Sequence, residues 1–172
     1  GFARAIGDLV AGSKHGAVAL IGAGGVGKAI AFALASLGIA GLNIFDADRV
    51  KAEALSSQLQ GRLKARVTDD VGGALEGVVG VVNGTPVGML PDRGMAVQDA
   101  LLHGGLWVAD AVYTPLWTPL LMAAKAKGAS VMTGRDLAVY QAADAFELFT
   151  GLKPPVDVIQ NAFDAEMASR YP

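Results

Sequence analysis

The chain has no cysteine, only two histidines and few charged side chains, 17% of its 172 residues. Without cysteine there are no disulfides, no thiolate metal ligands and no thiol nucleophile. The two histidines, His15 and His103, fall in polar, glycine-containing stretches and read as surface residues. No His/Asp/Glu cluster has metal-ligand spacing, so no metal is expected. A formal net charge of −2 gives no electrostatic reason to expect nucleic acid or an anionic membrane as partner. Disorder is excluded as well, because a chain that is 52% hydrophobic can offset its ordering entropy.

Charge is scarcest between Gly16 and Phe45, where Lys28 is the only ionised side chain. About thirty such residues are long enough to span a bilayer. The run is broken by adjacent glycines and divides into a strand-like and a helix-like part, which argues against a membrane helix. Gly1 to Leu9 carries Arg4 and Asp8 and lacks a signal-peptide core. A soluble, cytoplasmic protein is expected. The chain opens on Gly1 rather than Met, as a piece of a longer protein would.

What the sequence has in excess is glycine, 23 residues, about twice the usual share of roughly 7%. Short apolar runs alternate with helical stretches. Strands are expected at Ala17–Ile21, Leu42–Phe45, Ala65–Thr68, Val78–Val82, Leu106–Val112 and Ala129–Met132. Helices are expected at Gly27–Leu37, Arg49–Leu59, around Asp70–Leu75, from about Pro119 to Lys127, at Asp136–Phe149 and from about Val156 to Arg170. Continuous apolar strands separated by helices imply parallel strands buried on both faces. Right-handed crossovers then give an α/β fold, a doubly wound, Rossmann-type, six-stranded and mainly parallel sheet with helices on both faces. Nothing divides the chain, so residues 1–172 read as one domain.

Gly22-Ala23-Gly24-Gly25-Val26-Gly27 follows an expected strand and opens an expected helix, the setting in which G-x-G-x-x-G is informative. Gly22 permits the tight turn, Gly24 lets backbone approach a pyrophosphate, and Gly27 lets helix and strand pack closely. The helix N-terminus then offers free N–H groups and a positive dipole end to phosphates. Gly22 to Lys28 also fits the opening of a P-loop. The hydroxyl that a P-loop needs next is replaced by Ala29, so Lys28 reads as a solvated helix residue. Asp46 ends the second strand, 24 positions beyond Gly22. An acid there can accept bonds from adenosine ribose hydroxyls and repels the 2′-phosphate of NADP. Asp48 reads as the N-cap of the next helix.

To this point the chain also resembles the adenylating enzymes related to ubiquitin activation, which share a glycine loop and a D-x-D like Asp46-Ala47-Asp48. Those enzymes continue with N-x-x-R-Q, whereas this chain continues Arg49-Val50-Lys51-Ala52-Glu53, and the likeness stops at residue 48. The second half points elsewhere. Asn83-Gly84-Thr85-Pro86-Val87-Gly88-Met89 resembles the N-A-T-P-x-G-M of shikimate and quinate dehydrogenases. Asp110-Ala111-Val112-Tyr113-Thr114-Pro115, with Thr118-Pro119-Leu120-Leu121, is similar to their D-x-x-Y-x-P-x-x-T-x-L-L. Gln141-Ala142-Ala143-Asp144-Ala145-Phe146, with Phe149-Thr150-Gly151, resembles their Q-A-x-x-A-F-x-x-(F/W)-T-G.

This resemblance implies a dinucleotide-binding domain of an NAD(P)-dependent oxidoreductase. The reaction it implies moves a hydride between nicotinamide and the ring carbonyl of 3-dehydroshikimate, with shikimate or quinate on the alcohol side. Asn83, Thr85 and Pro86 are then expected beside the cofactor, with Ala47 next to Asp46 at its adenosine end. Ala111, Gly134 and Leu137 match positions lining the nicotinamide pocket, and Met89 is expected to pack. Tyr113 and Gln141 match substrate-facing residues, Gln141 being read as a buried amide on a helix of alanines. Asp110 reads as a structural hydrogen-bonding group. In NADP-using members N-R-T stands where Asp46-Ala47-Asp48 stands here, so NAD is favoured, with Arg49 as the side chain able to swing back onto a phosphate. The family's catalytic lysine and aspartate belong to an N-terminal substrate domain whose N-T-D-x-x-G-F motif ends on a Gly-Phe like Gly1-Phe2. The chain itself is therefore expected to hold no catalytic residue, its own N-terminal domain being the natural partner.

Overall fold

A computed structural model describes residues 1–11 and 16–170. His15 lies outside the described residues. Helix α1 (Phe2–Ala11) comes first, an element absent from the helices expected above. Its cause is visible in the spacing: Phe2, Ile6 and Val10 recur every four residues and all three are buried. The order then runs β1 (Ala17–Ile21), α2 (Gly25–Ser36), β2 (Gly41–Phe45), α3 (Arg49–Gln58), β3 (Ala65–Val67), α4 (Val71–Leu75) and β4 (Val78–Asn83). A single 3-10 turn at Asp99–Leu101 precedes β5 (Trp107–Asp110), α5 (Pro119–Ala126), β6 (Ser130–Met132), α6 (Gly134–Thr150) and α7 (Val156–Arg170).

The six strands pair in the order β3-β2-β1-β4-β5-β6, every neighbouring pair parallel. This is the doubly wound order, in which the strand sequence reverses between β1 and β4. Alternate residues of each strand feed opposite faces. Val18, Leu20, Leu42, Ile44, Val82 and Trp107 pack with α1, α2 and α3. Ala19, Ile21, Val81 and Val108 pack with α4 and α5 on the other side. Each fully buried Leu or Ile contributes roughly 1.5–3 kcal/mol. Gly80 interrupts the β-branched run of β4 because a Cβ there would lie 2.0 Å from the Trp107 ring on the adjacent strand.

Register fixes where the strands end. Ile21 is opposite Phe45 on one side and Asn83 on the other, and Asn83 is opposite Asp110. The next residues, Gly22, Asp46, Gly84 and Ala111, therefore share one rim at the carboxyl edge. Strand β5 stops at Asp110, short of the expected Val112, because the Asp110 carboxylate accepts the Val112 N–H and folds the chain into a turn. Helices α2 and α6 begin two residues earlier than expected, each on a glycine. Helix α7 buries no side chain; it is held to α6 by a two-pronged Arg135–Asp164 pair, both contacts 2.6 Å. No helix among the described residues is long and apolar enough to cross a membrane.

Candidate functional site

The glycine loop is built by close backbone approach. Gly22 has φ +98°, and a Cβ there would meet the Thr85 methyl at 2.6 Å. A Cβ on Gly27 would sit 1.9 Å from the Gly22 carbonyl oxygen. Those two positions lock β1, α2 and the turn after β4 together. Gly24 and Gly25 behave differently, since a Cβ on either would meet nothing. Gly24 caps α2 with no side-chain bond, so no cap side chain accepts from the first N–H groups of the helix.

At one end of the loop stands Asp46. Its Oδ2 accepts from the Ala23 N–H at 2.6 Å and its Oδ1 from the Asp48 N–H at 2.8 Å. Asp48 in turn caps α3 through the Val50 N–H, the role expected of it. Asp46, Ala47, Gly22, Gly24, Thr85 and Lys51 line a cavity of about 460 Å³. The sequence alone puts Lys51 on plain helix surface; it is exposed, but it also forms part of this wall. Arg49 is absent from the wall. Its guanidinium bonds Glu53 at 2.7 Å and pairs with Asp69 in the loop after β3.

Behind the middle of the rim lies a sealed polar chain. Asp110, fully buried, accepts from Asn83 Nδ2 at 2.9 Å, from the Val112 N–H at 3.0 Å and from Thr118 Oγ1 at 2.7 Å. Asn83 Oδ1 accepts from the Thr85 N–H and hydroxyl, and Thr85 Oγ1 accepts from the Val87 N–H. Burial pushes the Asp110 carboxyl above its ordinary range, against the downward pull of its three hydrogen bonds. The D-x-x-Y-x-P-x-x-T spacing thus has a physical content: Thr118 both caps α5 and satisfies Asp110.

At the other end, Gly25, Val26, Ala111, Tyr113, Leu137 and Gln141 line a cavity of about 580 Å³ that continues along α2 as far as Ser36. A smaller space of about 270 Å³ joins the two, sharing Thr85 and Pro86 with the first and Val26, Ala111 and Tyr113 with the second. The result is one cleft across the glycine loop, from Asp46 to Gln141. Tyr113 is braced edge-on by Phe163 of α7, ring centres 6.0 Å apart.

Several expectations need correction. Gln141 is exposed on α6 and lines the cavity. Met89 does not pack; it is 46% exposed and lines the joining space. Ala23, Asn83 and Gly134 stand behind the cleft wall rather than on it, as does Gly27, in the packing role expected of it. Asn83 is fully buried with its amide spent on Asp110, Val87 and Thr85. Gly134 is buried against the Val112 carbonyl oxygen, from which a Cβ there would lie only 2.3 Å. Met95 and Ala96, which no motif marks, close the Asp46 end from a loop. His103 is exposed and accepts the Gly105 N–H at 3.2 Å, away from the cleft walls. Among the described residues no three His, Asp or Glu side chains come close enough to hold a metal.

Two family profiles match the chain. The one described as Shikimate 5'-dehydrogenase C-terminal domain matches residues 134–162, and that of the ThiF family matches residues 10–65. A quinate/shikimate dehydrogenase (NAD(+)) of Corynebacterium glutamicum is 40% identical over 95% of this chain. A shikimate dehydrogenase (NADP(+)) of Pseudarthrobacter chlorophenolicus is 39% identical over 95% of it. The chain spans 59% of the first relative and 57% of the second. Among solved structures, quinate dehydrogenase from Corynebacterium glutamicum in complex with NAD superposes with a TM-score of 0.88 at 36% identity, over 96% of this chain and 60% of that one. The ThiF match stays within the half that carries the glycine loop and Asp46, whereas these relatives match nearly the whole chain, so the family the chain matches is that of the shikimate/quinate dehydrogenases.

Proposed function

We propose that this chain is the cofactor-binding part of an oxidoreductase that moves a hydride between a nicotinamide dinucleotide and the ring carbon of shikimate or quinate. The observation that carries the reading is the single cleft from Asp46 to Gln141 along the carboxyl rim, where open α/β sheets take their ligands. The residues present fit a dinucleotide. Gly24 and Gly25 leave open the space at the α2 N-terminus where a pyrophosphate would meet backbone N–H groups. Asp46 would hold the adenosine ribose, with Ala47 beside it and Thr85 and Pro86 along the middle. Ala111 and Leu137 would flank the nicotinamide, which when bound supplies the hydride acceptor or donor. Tyr113 and Gln141, exposed at that end, would bind and orient the substrate's polar groups.

NAD is the favoured cofactor in this reading. A 2′-phosphate at the Asp46 end would face carboxylates, with Arg49 committed to Glu53 and Asp69. Among the described residues, the Tyr113 end of the cleft brings no Lys, His, Asp or Glu to the substrate. The proton-transfer group would therefore come from outside this chain, from a preceding substrate domain. The greater length of the relatives supports that placement.

Calorimetric titration of the 172-residue chain with NAD+, NADP+ and ATP, beside an absorbance assay with shikimate and quinate, tests the reading. Binding of NAD+ without turnover is expected. Turnover above background would overturn the placement of the proton-transfer group elsewhere. ATP binding with no dinucleotide binding would favour an adenylating enzyme instead.

A further inference from the structure

Arg49 follows the Asp46-Ala47-Asp48 turn directly, and that turn is closed tightly by the Asp48 N–H on Asp46. From there a long side chain has two directions to take, toward the cleft or toward β3. It takes the second. Its Nε donates to Glu53 Oε1 at 2.7 Å, one helical turn on, and its Nη1 pairs with Asp69 beyond β3. The guanidinium is thereby engaged through Nε and Nη1 by separate carboxylates, while Lys51 leans weakly on Asp48 at 3.5 Å. Hydrogen bonds and ion pairs at this end link four carboxylates, Asp46, Asp48, Glu53 and Asp69, with two cations, Arg49 and Lys51.

We propose that Glu53 and Asp69 are cofactor-selecting residues that never touch the cofactor: by holding Arg49 toward β3 they keep a guanidinium away from the site of a 2′-phosphate. The proposal rests on the dinucleotide reading above and extends it from Asp46 to a pair of residues outside the cleft wall. A phosphate offers Arg49 about two negative charges, no more than the two carboxylates already give it. Drawing Arg49 across would exchange one pair of ion contacts for another and leave Glu53 and Asp69 unpaired beside the incoming anion. Without those carboxylates the exchange becomes a gain, because the phosphate is then the strongest anion within reach. All three side chains are exposed, so the expected effect is moderate.

The test is equilibrium binding of NAD+ and NADP+ to the wild type, to Glu53→Gln/Asp69→Asn, and to the same pair with Arg49→Gln added. The double variant is expected to bind NADP+ about three- to tenfold more tightly and NAD+ within about twofold of wild type. Adding Arg49→Gln should return NADP+ to its starting affinity. A gain that survives Arg49→Gln would mark a general charge effect and overturn the proposal, as would unchanged NADP+ affinity beside normal NAD+ binding. Absence of dinucleotide binding by the wild type would instead overturn the reading on which the proposal stands.

Discussion

The same dipeptide, Asp-Ala, closes two strands at the same rim: Asp46-Ala47 after β2 and Asp110-Ala111 at the end of β5. The two acids have opposite surroundings. Asp46 is half-buried, accepts two backbone N–H groups and faces a cavity. Asp110 is sealed, and its three donors come from β4, from the turn beyond β5 and from the start of α5. Register explains the difference. Directly across from Asp110 is Asn83, whose amide donates to it. The rim beside Asp46 is the glycine loop, which offers only backbone and empty space. The cross-strand neighbour, more than the acid itself, decides whether a carboxylate serves as frame or as wall.

The frame end should be the costlier one to break. Asp110→Ala leaves the Asn83 amide, the Val112 N–H and the Thr118 hydroxyl without their acceptor in the interior. A stability loss of about 2–4 kcal/mol is expected by urea denaturation, since each stranded donor carries its desolvation penalty. A loss below about 0.5 kcal/mol would mean that water satisfies these donors and the frame reading fails. The pH dependence sharpens the contrast. Burial holds the folded Asp110 carboxyl above its unfolded value. Stability from this group is therefore complete below the unfolded value and is lost as pH rises through the raised folded one. Asp164, held low by Arg135, acts in the opposite sense, its stability being lost as pH falls. The stability of wild type relative to Asp110→Asn should thus decline as pH rises from the ordinary carboxylate range toward neutrality. A flat difference between the two proteins would contradict the assignment.

Much of the framework is legible in the sequence because glycine, β-branched runs and caps act locally. The loop from Gly22 to Gly27, the Asp48 cap and the alternation of strands and helices follow from steric and hydrogen-bonding rules that need only neighbouring residues. Asp110 reads as structural because an acid inside an apolar strand has to be satisfied. What escapes the sequence is direction. Asn83 and Thr85 stand two residues apart on one polar turn, yet one faces inward to Asp110 and the other borders the cleft. Gln141 among alanines suggests a buried amide, but its position on α6 is exposed at the cavity. Helix α1 does carry a local signal, the Phe2-Ile6-Val10 spacing, although its short length makes that signal easy to miss. The turn of Arg49 toward Asp69 has no local signal, because the partner lies in another loop twenty residues away.

The wall end should break gently in stability and clearly in selectivity. Asp46→Asn combined with Ala47→Arg removes one negative charge and adds a guanidinium at the head of the cleft. The new amide oxygen can still accept the Ala23 N–H, the Asp48 N–H that loses its acceptor is exposed to water, and position 47 is exposed, so stability should change by about 1 kcal/mol or less. For the cofactor the same pair of changes does more. The carboxylate that would meet ribose hydroxyls is gone, which weakens NAD+. A cation stands where a 2′-phosphate would lie, which strengthens NADP+ through a charge-assisted contact. Each change is worth on the order of 1 kcal/mol at a partly exposed site, so together they should move the NAD+/NADP+ affinity ratio at least about tenfold and invert it. Titration of both cofactors at one ionic strength reads the ratio directly. A ratio that stays on the side of NAD+, with the fold intact, would place the selecting contact away from the β2 end; a wild type that already prefers NADP+ would assign the phosphate to Lys51 or to a released Arg49.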